Sequence, residues 1–334
     1  MPLHRLRPRA TMSVDPVTFD IQSLYYQNAY QGCIMQAKKQ APNGVVDDVS
    51  LIRLVYAARS AVALNDFAQA RQLLGDDAAS PVAMSVLLLA DYLEAAQTDP
   101  EDAASMIEPL ESLLDMTEPG ELASEIVRYN VALAQYTAGN ATSALETLGV
   151  TGAGGSCELE CVALGVHILL AIHRLDLAEK EYMAVRQWGD DSLLVQFMEA
   201  WIGLVRGGRS TQQAYYVYDE LSQSSVVVNT PNMVPTLVGK AVANAALSDS
   251  AGALATIQEA ASLDAHNPTV LENQAAFTAL SRDASQADVE TEERYVAHLS
   301  NAVPSPRRPR PVRWLRNMLC GKQSLIRPSR RLPK

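Results

Sequence analysis

The sequence holds few residues whose types and spacing could do chemistry. Gly152, Gly154 and Gly155 share one short segment, but a phosphate-cradling loop needs a Gly-Lys-Ser/Thr ending that is absent here. Cys157 and Cys161 are four residues apart, one helical turn, and could touch one metal ion. A structural zinc site needs four ligands, and no second Cys/His pair has ligand spacing. Both cysteines therefore read as packing residues. His167 and His173 fall on different faces of a helix and read as core and turn positions. No Gly-x-Ser-x-Gly elbow exists to anchor a Ser/His/Asp triad. Glu290, Glu292 and Glu293 read as a solvated helix face, not an acid/base pair. No enzyme, metal or cofactor is expected.

The elements around these residues are helical in character. Of 334 residues 48 are alanine, aromatics make up 6%, and hydrophobic and charged residues reach 48% and 19%. That mix describes a globular, alanine-rich chain that leans towards helix. The longest apolar stretch, Cys161 to Ile172, spans 12 residues and contains His167, short of the ~18 a membrane span needs. Arg5, Arg7 and Arg9 are followed by no apolar block, so no secretory signal is expected. Four scattered cysteines (Cys33, Cys157, Cys161, Cys320) suit a reducing cytosol. Residues 304–334 carry ten basic and no acidic residues; the remaining 17 basic residues face 38 acidic ones over 1–303, a charge of −21. The body is expected to repel nucleic acid and anionic lipid. The Pro/Arg-rich tail reads as disordered or atypical.

Self-similarity organises the body. Ala144 in "GNATSALETL" is matched 34 residues on by Ala178 in "HRLDLAEKEY", each just after a turn. Cys33, Ala70, Ala103, Ala214 and Ala253 take the same place early in a second helix. Successive spacings are 37, 33, 41, 34, 36 and 39. Each unit reads as helix, short turn, helix. Leu54, Ala58, Ala61 and Val62 form one apolar stripe, Asn65 and Asp66 break it, and Phe67, Ala70 and Leu74 form the facing stripe. Small residues let antiparallel helices approach closely, and stacking of hairpins must supply the stability. The expected fold is all-α, a tetratricopeptide-like helical-hairpin solenoid. The family's turn glycine survives as Gly139 and becomes Asn65, His173 or Ser248 elsewhere. Breaks are expected at 41–44, at 151–156 and at 224–232, with Val226–Val228 the one candidate for extended chain.

The stretch from Cys157 to Leu221 goes further and resembles the epsilon subunit of coatomer, the coat of Golgi-derived transport vesicles. "HRLDLAEKE" (173–181) and "AWIGLVRGGRSTQQAYYVYDEL" (200–221) carry the resemblance most specifically. In the latter, Trp201, Gly207, Gly208, Ala214, Tyr215 and Tyr216 match the family's run. "FDIQSLYYQNAYQGCIMQA" (19–37), "ADYL" (90–93) and "NPTVLENQ" (267–274) are similar too. Similarity runs to "ERYVAHLSNAVP" (293–304) and then gives way to "SPRRPRPVRWLRN", where family members continue with acidic-amphipathic helix. The expected domains are an N-terminal extension at 1–14, the solenoid at 15–303 and the basic tail at 304–334.

The resemblance implies a non-catalytic coat subunit that binds and stabilises the C-terminal domain of the coatomer alpha subunit. Its place would be the cytoplasm and, peripherally, Golgi membranes and COPI-coated vesicles, in retrograde and intra-Golgi transport. A solenoid's first helices suit clasping an extended segment. The expected partner-binding lining is Val55, Tyr129, Leu133, Tyr136, His167, Leu170, Val238 and Val242. Two rivals are weaker. A co-chaperone adaptor clamping a peptide carboxylate would need several cationic residues on the inner helices, where only Arg59 and Arg128 fall. A nucleic-acid-binding module would rest on the tail alone and is opposed by the acidic body.

Overall fold

The computed structural model describes residues 15–280 apart from 43, 46, 76–78, 119, 151–157, 190–191 and 224–230. The glycine segment at 152–155, Cys157, Val226–Val228, the acidic run at 290–293, Cys320 and both terminal segments lie outside the described residues. Among the described residues every regular element is a helix. None of these helices is long and apolar enough to cross a membrane.

The chain divides into two compact units, Met1–Met198 and Glu199–Lys334. The first unit holds α1 (Pro16–Tyr26), α2 (Tyr30–Gln40), α3 (Asp48–Ala63), α4 (Phe67–Leu74) and α5 (Pro81–Thr98). It continues with α6 (Pro100–Ser105), α7 (Ile107–Ser112), α8 (Leu122–Thr137), α9 (Ala141–Leu148), α10 (Leu159–Ala171) and α11 (Leu175–Gly189); the division falls inside α12 (Leu193–Arg206). The second unit holds α13 (Arg209–Ser222), α14 (Val234–Ala246), α15 (Ser250–Leu263) and α16 (Pro268–Leu280). Consecutive helices pack as hairpins, α3 on α4, α8 on α9, α10 on α11 and α14 on α15. This is the tetratricopeptide-like helical-hairpin arrangement read from the repeat.

One backbone device makes these hairpins. Asn65, Gly139, His173 and Ser248, the four positions aligned with the family's turn glycine, all adopt positive φ (59°, 95°, 63° and 69°). At each, the next residue's N–H donates back to a carbonyl five residues earlier: Asp66 to Ala61, Asn140 to Gln135, Arg174 to Leu169 and Asp249 to Asn244, at 2.8–2.9 Å. That is the Schellman pattern, which satisfies the last carbonyls of a helix and reverses the chain. Asn28, φ 59°, makes the same turn between α1 and α2, with Ala29 N donating to Leu24 O. Asp66 and Asp249 then cap α4 and α15 by accepting from Gln69 N and Gly252 N, which restrains the next helix at its first turn.

Packing follows the small-residue rule. Cys33, Ala70, Ala103, Ala144, Ala178, Ala214 and Ala253 are all 3% exposed or less. The first-helix residues aligned with one another, Leu54, Val162, Leu237 and Leu271, are buried as well. Each such side chain contributes roughly 1.5–3 kcal/mol on leaving water. In the second unit α13 and α14 meet so closely that a Cβ on Gly239 would stand 2.4 Å from the Tyr218 ring, so only glycine fits there.

The hairpin around Ala103 departs from the pattern. Its second helix is broken into α6, α7 and a 3-10 turn at Leu113–Met116. Pro109 explains the break, because it lacks an N–H and its ring opposes the carbonyl four residues earlier. Met106 N accordingly donates to Ala103 O in a tighter turn.

Candidate functional site

The inner helices of the first unit bring a band of aromatic residues together around one cation. Tyr129, Leu133 and Tyr136 recur at helical spacing on α8 and so share a face, and all three are half-buried. The half-buried His167 on α10 stands edge-on to the Tyr136 ring, centroids 6.0 Å apart at 88°. At the other end Tyr129 covers Arg59 of α3, the guanidinium carbon 4.8 Å from the ring centroid. Tyr25 of α1 lies 4.7 Å from the same carbon and Tyr56 of α3 lies 5.1 Å from it. Tyr30, at the start of α2, extends the band, its ring 5.9 Å from that of Tyr25.

Beneath the aromatic residues sits a charged pair. Arg59 Nη2 donates to Glu160 Oε2 on α10, and both side chains are buried. Glu160 Oε1 also accepts from Tyr26 Oη at 2.7 Å and Tyr56 Oη at 2.9 Å. Gln22 Nε2 donates to Tyr56 Oη at 2.9 Å and completes the network. A buried ion pair persists only when its remaining donors and acceptors are met. One is met poorly: Arg59 Nη1 has no well-aligned acceptor and is shielded from solvent, while the guanidinium also hydrogen-bonds the Tyr25 hydroxyl and so opposes the upward push of burial on it.

The titration behaviour follows from burial. It raises the hydroxyls of Tyr25, Tyr26, Tyr30, Tyr56 and Tyr129 above their usual range, so they remain neutral donors. Burial lowers the His167 imidazole and pushes the Cys33 thiol up to about 11, which leaves it a packing group. Burial, with the Glu160 carboxylate close by, pushes Glu158 up to about 8. Among the described residues no group of three or more His, Cys, Asp or Glu could hold a metal ion. The half-buried face above the pair is rich in tyrosine, a residue type enriched at protein interfaces.

Of the eight residues expected to line a partner surface, Tyr129, Leu133, Tyr136 and His167 form one half-buried face. Val55 and Leu170 are buried in the first unit, Val238 and Val242 in the second. The two candidate clamp arginines are already compensated by carboxylates of this chain, Arg59 by Glu160 and Arg128 by Glu125 at 3.1 Å. Sequence reasoning missed Tyr25, Tyr30, Tyr56 and Glu160. The signal was a lone charge within an apolar stretch of each of two helices, Arg59 within "LVYAARSAVA" of α3 and Glu160 within "LECVALGVHILLA" of α10.

A sequence model of the coatomer epsilon subunit matches residues 15–307. Coatomer subunit epsilon-1 of Arabidopsis thaliana is 28% identical over 269 residues, covering 79% of this chain and 84% of its own length. Probable coatomer subunit epsilon of Schizosaccharomyces pombe is 30% identical over 200 residues, covering 54% and 67%. Among solved structures, a tetratricopeptide repeat protein from Parabacteroides merdae aligns over 87% of this chain and 98% of its own, with 14% identity and a TM-score of 0.46. With the family's sequence pattern running from before α1 to beyond α16, the chain belongs to the coatomer epsilon-subunit family.

Proposed function

We propose that this chain is a non-catalytic structural subunit of the vesicle coat that binds the C-terminal domain of the alpha subunit and stabilises it. It acts in Golgi-to-ER retrograde and intra-Golgi transport, in the cytoplasm and peripherally on Golgi membranes and COPI-coated vesicles. Residues 15–303 carry the binding, and 1–14 and 304–334 lie outside it.

The observation that carries this reading is the band of Tyr25, Tyr30, Tyr129, Leu133, Tyr136 and His167 around Arg59. Large amphipathic rings at low conformational-entropy cost suit a binding surface, whereas the network beneath them offers no nucleophile or proton relay. A partner that binds only the folded chain would also stabilise it by mass action.

The test is co-purification with the alpha subunit's C-terminal domain at low and high salt, for the full chain and for one ending at residue 304. Both chains are expected to hold the partner equally. Absence of a complex with either chain, or its loss on removing the tail, would overturn this assignment.

A further inference from the structure

Arg59 presents an unmet requirement inside the candidate site. Its side chain is 3% exposed, its Nη2 is spent on Glu160, and its Nη1 lacks a well-aligned acceptor, with the Tyr25 hydroxyl a further hydrogen-bond neighbour of the guanidinium. A buried donor without a good acceptor is costly and calls for a reason. The rings that flank the guanidinium, Tyr25 and Tyr129, are both half-buried. Turning either aside would open Nη1 to a molecule lying on the inner face.

Charge decides what that molecule brings. Glu160 already balances the Arg59 cation. Nearby, Glu125 is balanced by Arg128, and burial beside Glu160 raises Glu158, which disfavours its charged form. A second carboxylate on Arg59 would lie beside Glu160 in a poorly screened site and be repelled. An uncharged acceptor meets the need without that repulsion.

We propose that Arg59 Nη1 receives a backbone carbonyl from an extended, uncharged stretch of the partner, taken between the rings of Tyr25 and Tyr129. The inference rests on the coat-subunit reading and adds the chemistry of the contact. The tyrosine faces pack the side chains flanking that carbonyl, and Arg59 fixes the register of the segment. Arg59 thereby holds Glu160 on one edge of its fork and the partner on the other, which suits a planar guanidinium and not an ammonium.

The test measures the affinity of the alpha subunit's C-terminal domain for the wild-type chain, Arg59→Lys, and the double variant Arg59→Met with Glu160→Gln. Lysine keeps a charge opposite Glu160 but cannot serve both sides. The double variant removes both charges together and so avoids a buried unpaired ion. Thermal melting followed by circular dichroism confirms that each is folded, and the double variant decides the question if the lysine variant is not. Both variants are expected to bind about tenfold or more weakly, with the same loss at low and high salt. Unchanged affinity in a folded variant overturns the inference and leaves the coat-subunit reading standing. A loss that shrinks as salt rises points to a carboxylate from the partner and also overturns it. Failure of the wild-type chain to bind overturns the coat-subunit reading, and the inference with it.

Discussion

Arg59 and Glu160 lie 101 residues apart in the chain and meet as a buried ion pair. Tyr26, 134 residues from Glu160, joins them through its hydroxyl. The inner helices of the first unit therefore curl until α1 and α3 reach the start of α10. A pair of this kind is costly to break from one side, because the surviving ion stays buried without a partner.

Arg59→Met should lower stability by about 3–5 kcal/mol, measured by urea denaturation. Adding Glu160→Gln should restore most of that loss, since glutamine keeps an acceptor for Tyr26 and Tyr56 and carries no charge. Equal stability of the single and double variants would show that the two residues are not coupled.

Ala144 and Ala178 are fully buried where the second helix crosses its partner. Ala144→Trp or Ala178→Trp should overpack that crossing and cost about 1–3 kcal/mol or more. Melting temperatures equal to the parent's for both variants would contradict the helix register.

The hairpin turns predict changes of opposite sign. Ser248 adopts φ 69°, a region that disfavours any Cβ, so Ser248→Gly should stabilise, by about 0.5–1 kcal/mol after the added unfolded-state entropy. Gly139 adopts φ 95°, and a Cβ there would touch nothing within 4 Å. Gly139→Ala should therefore cost about 1–2 kcal/mol through backbone strain alone. Denaturation midpoints moving in the same direction would refute the shared turn geometry.

Glu158 predicts a dependence on pH. Its carboxyl is raised from 4.5 to about 8 by burial and by Glu160, so the folded chain holds this proton more tightly than the unfolded one. Stability from this group is then greatest below about pH 4.5 and falls as pH rises towards about 8, levelling off above. Glu158→Gln should remove that decline. The measurement is the urea midpoint at several pH values for both chains, and parallel profiles would contradict the assignment.

Much of the fold was legible because its signals are local. Seven small residues mark the helix crossings, and all seven are buried. The break between α6 and α7 was just as local, carried by Pro109, but it is masked by the repeat on either side. The candidate site was legible only in part. Tyr129 and Tyr136 share one helical stripe that the spacing shows, whereas Glu160 has no meaning until its distant partners are known.

The sequence by itself determined the helices, their hairpin turns and which small residues sit between them. Those features depend on backbone bonds spanning five residues, as at Asn65 and Ser248, and on the size of side chains at a regular period. Tertiary structure alone decided that Arg59, Glu160, Tyr26 and Tyr129 converge, and that Val55 and Leu170 are covered while Tyr136 and His167 stay half-buried. The physical reason is that curvature accumulates from small rotations between successive hairpins. No single turn specifies it, and a modest change in each would carry α10 away from α1 and α3.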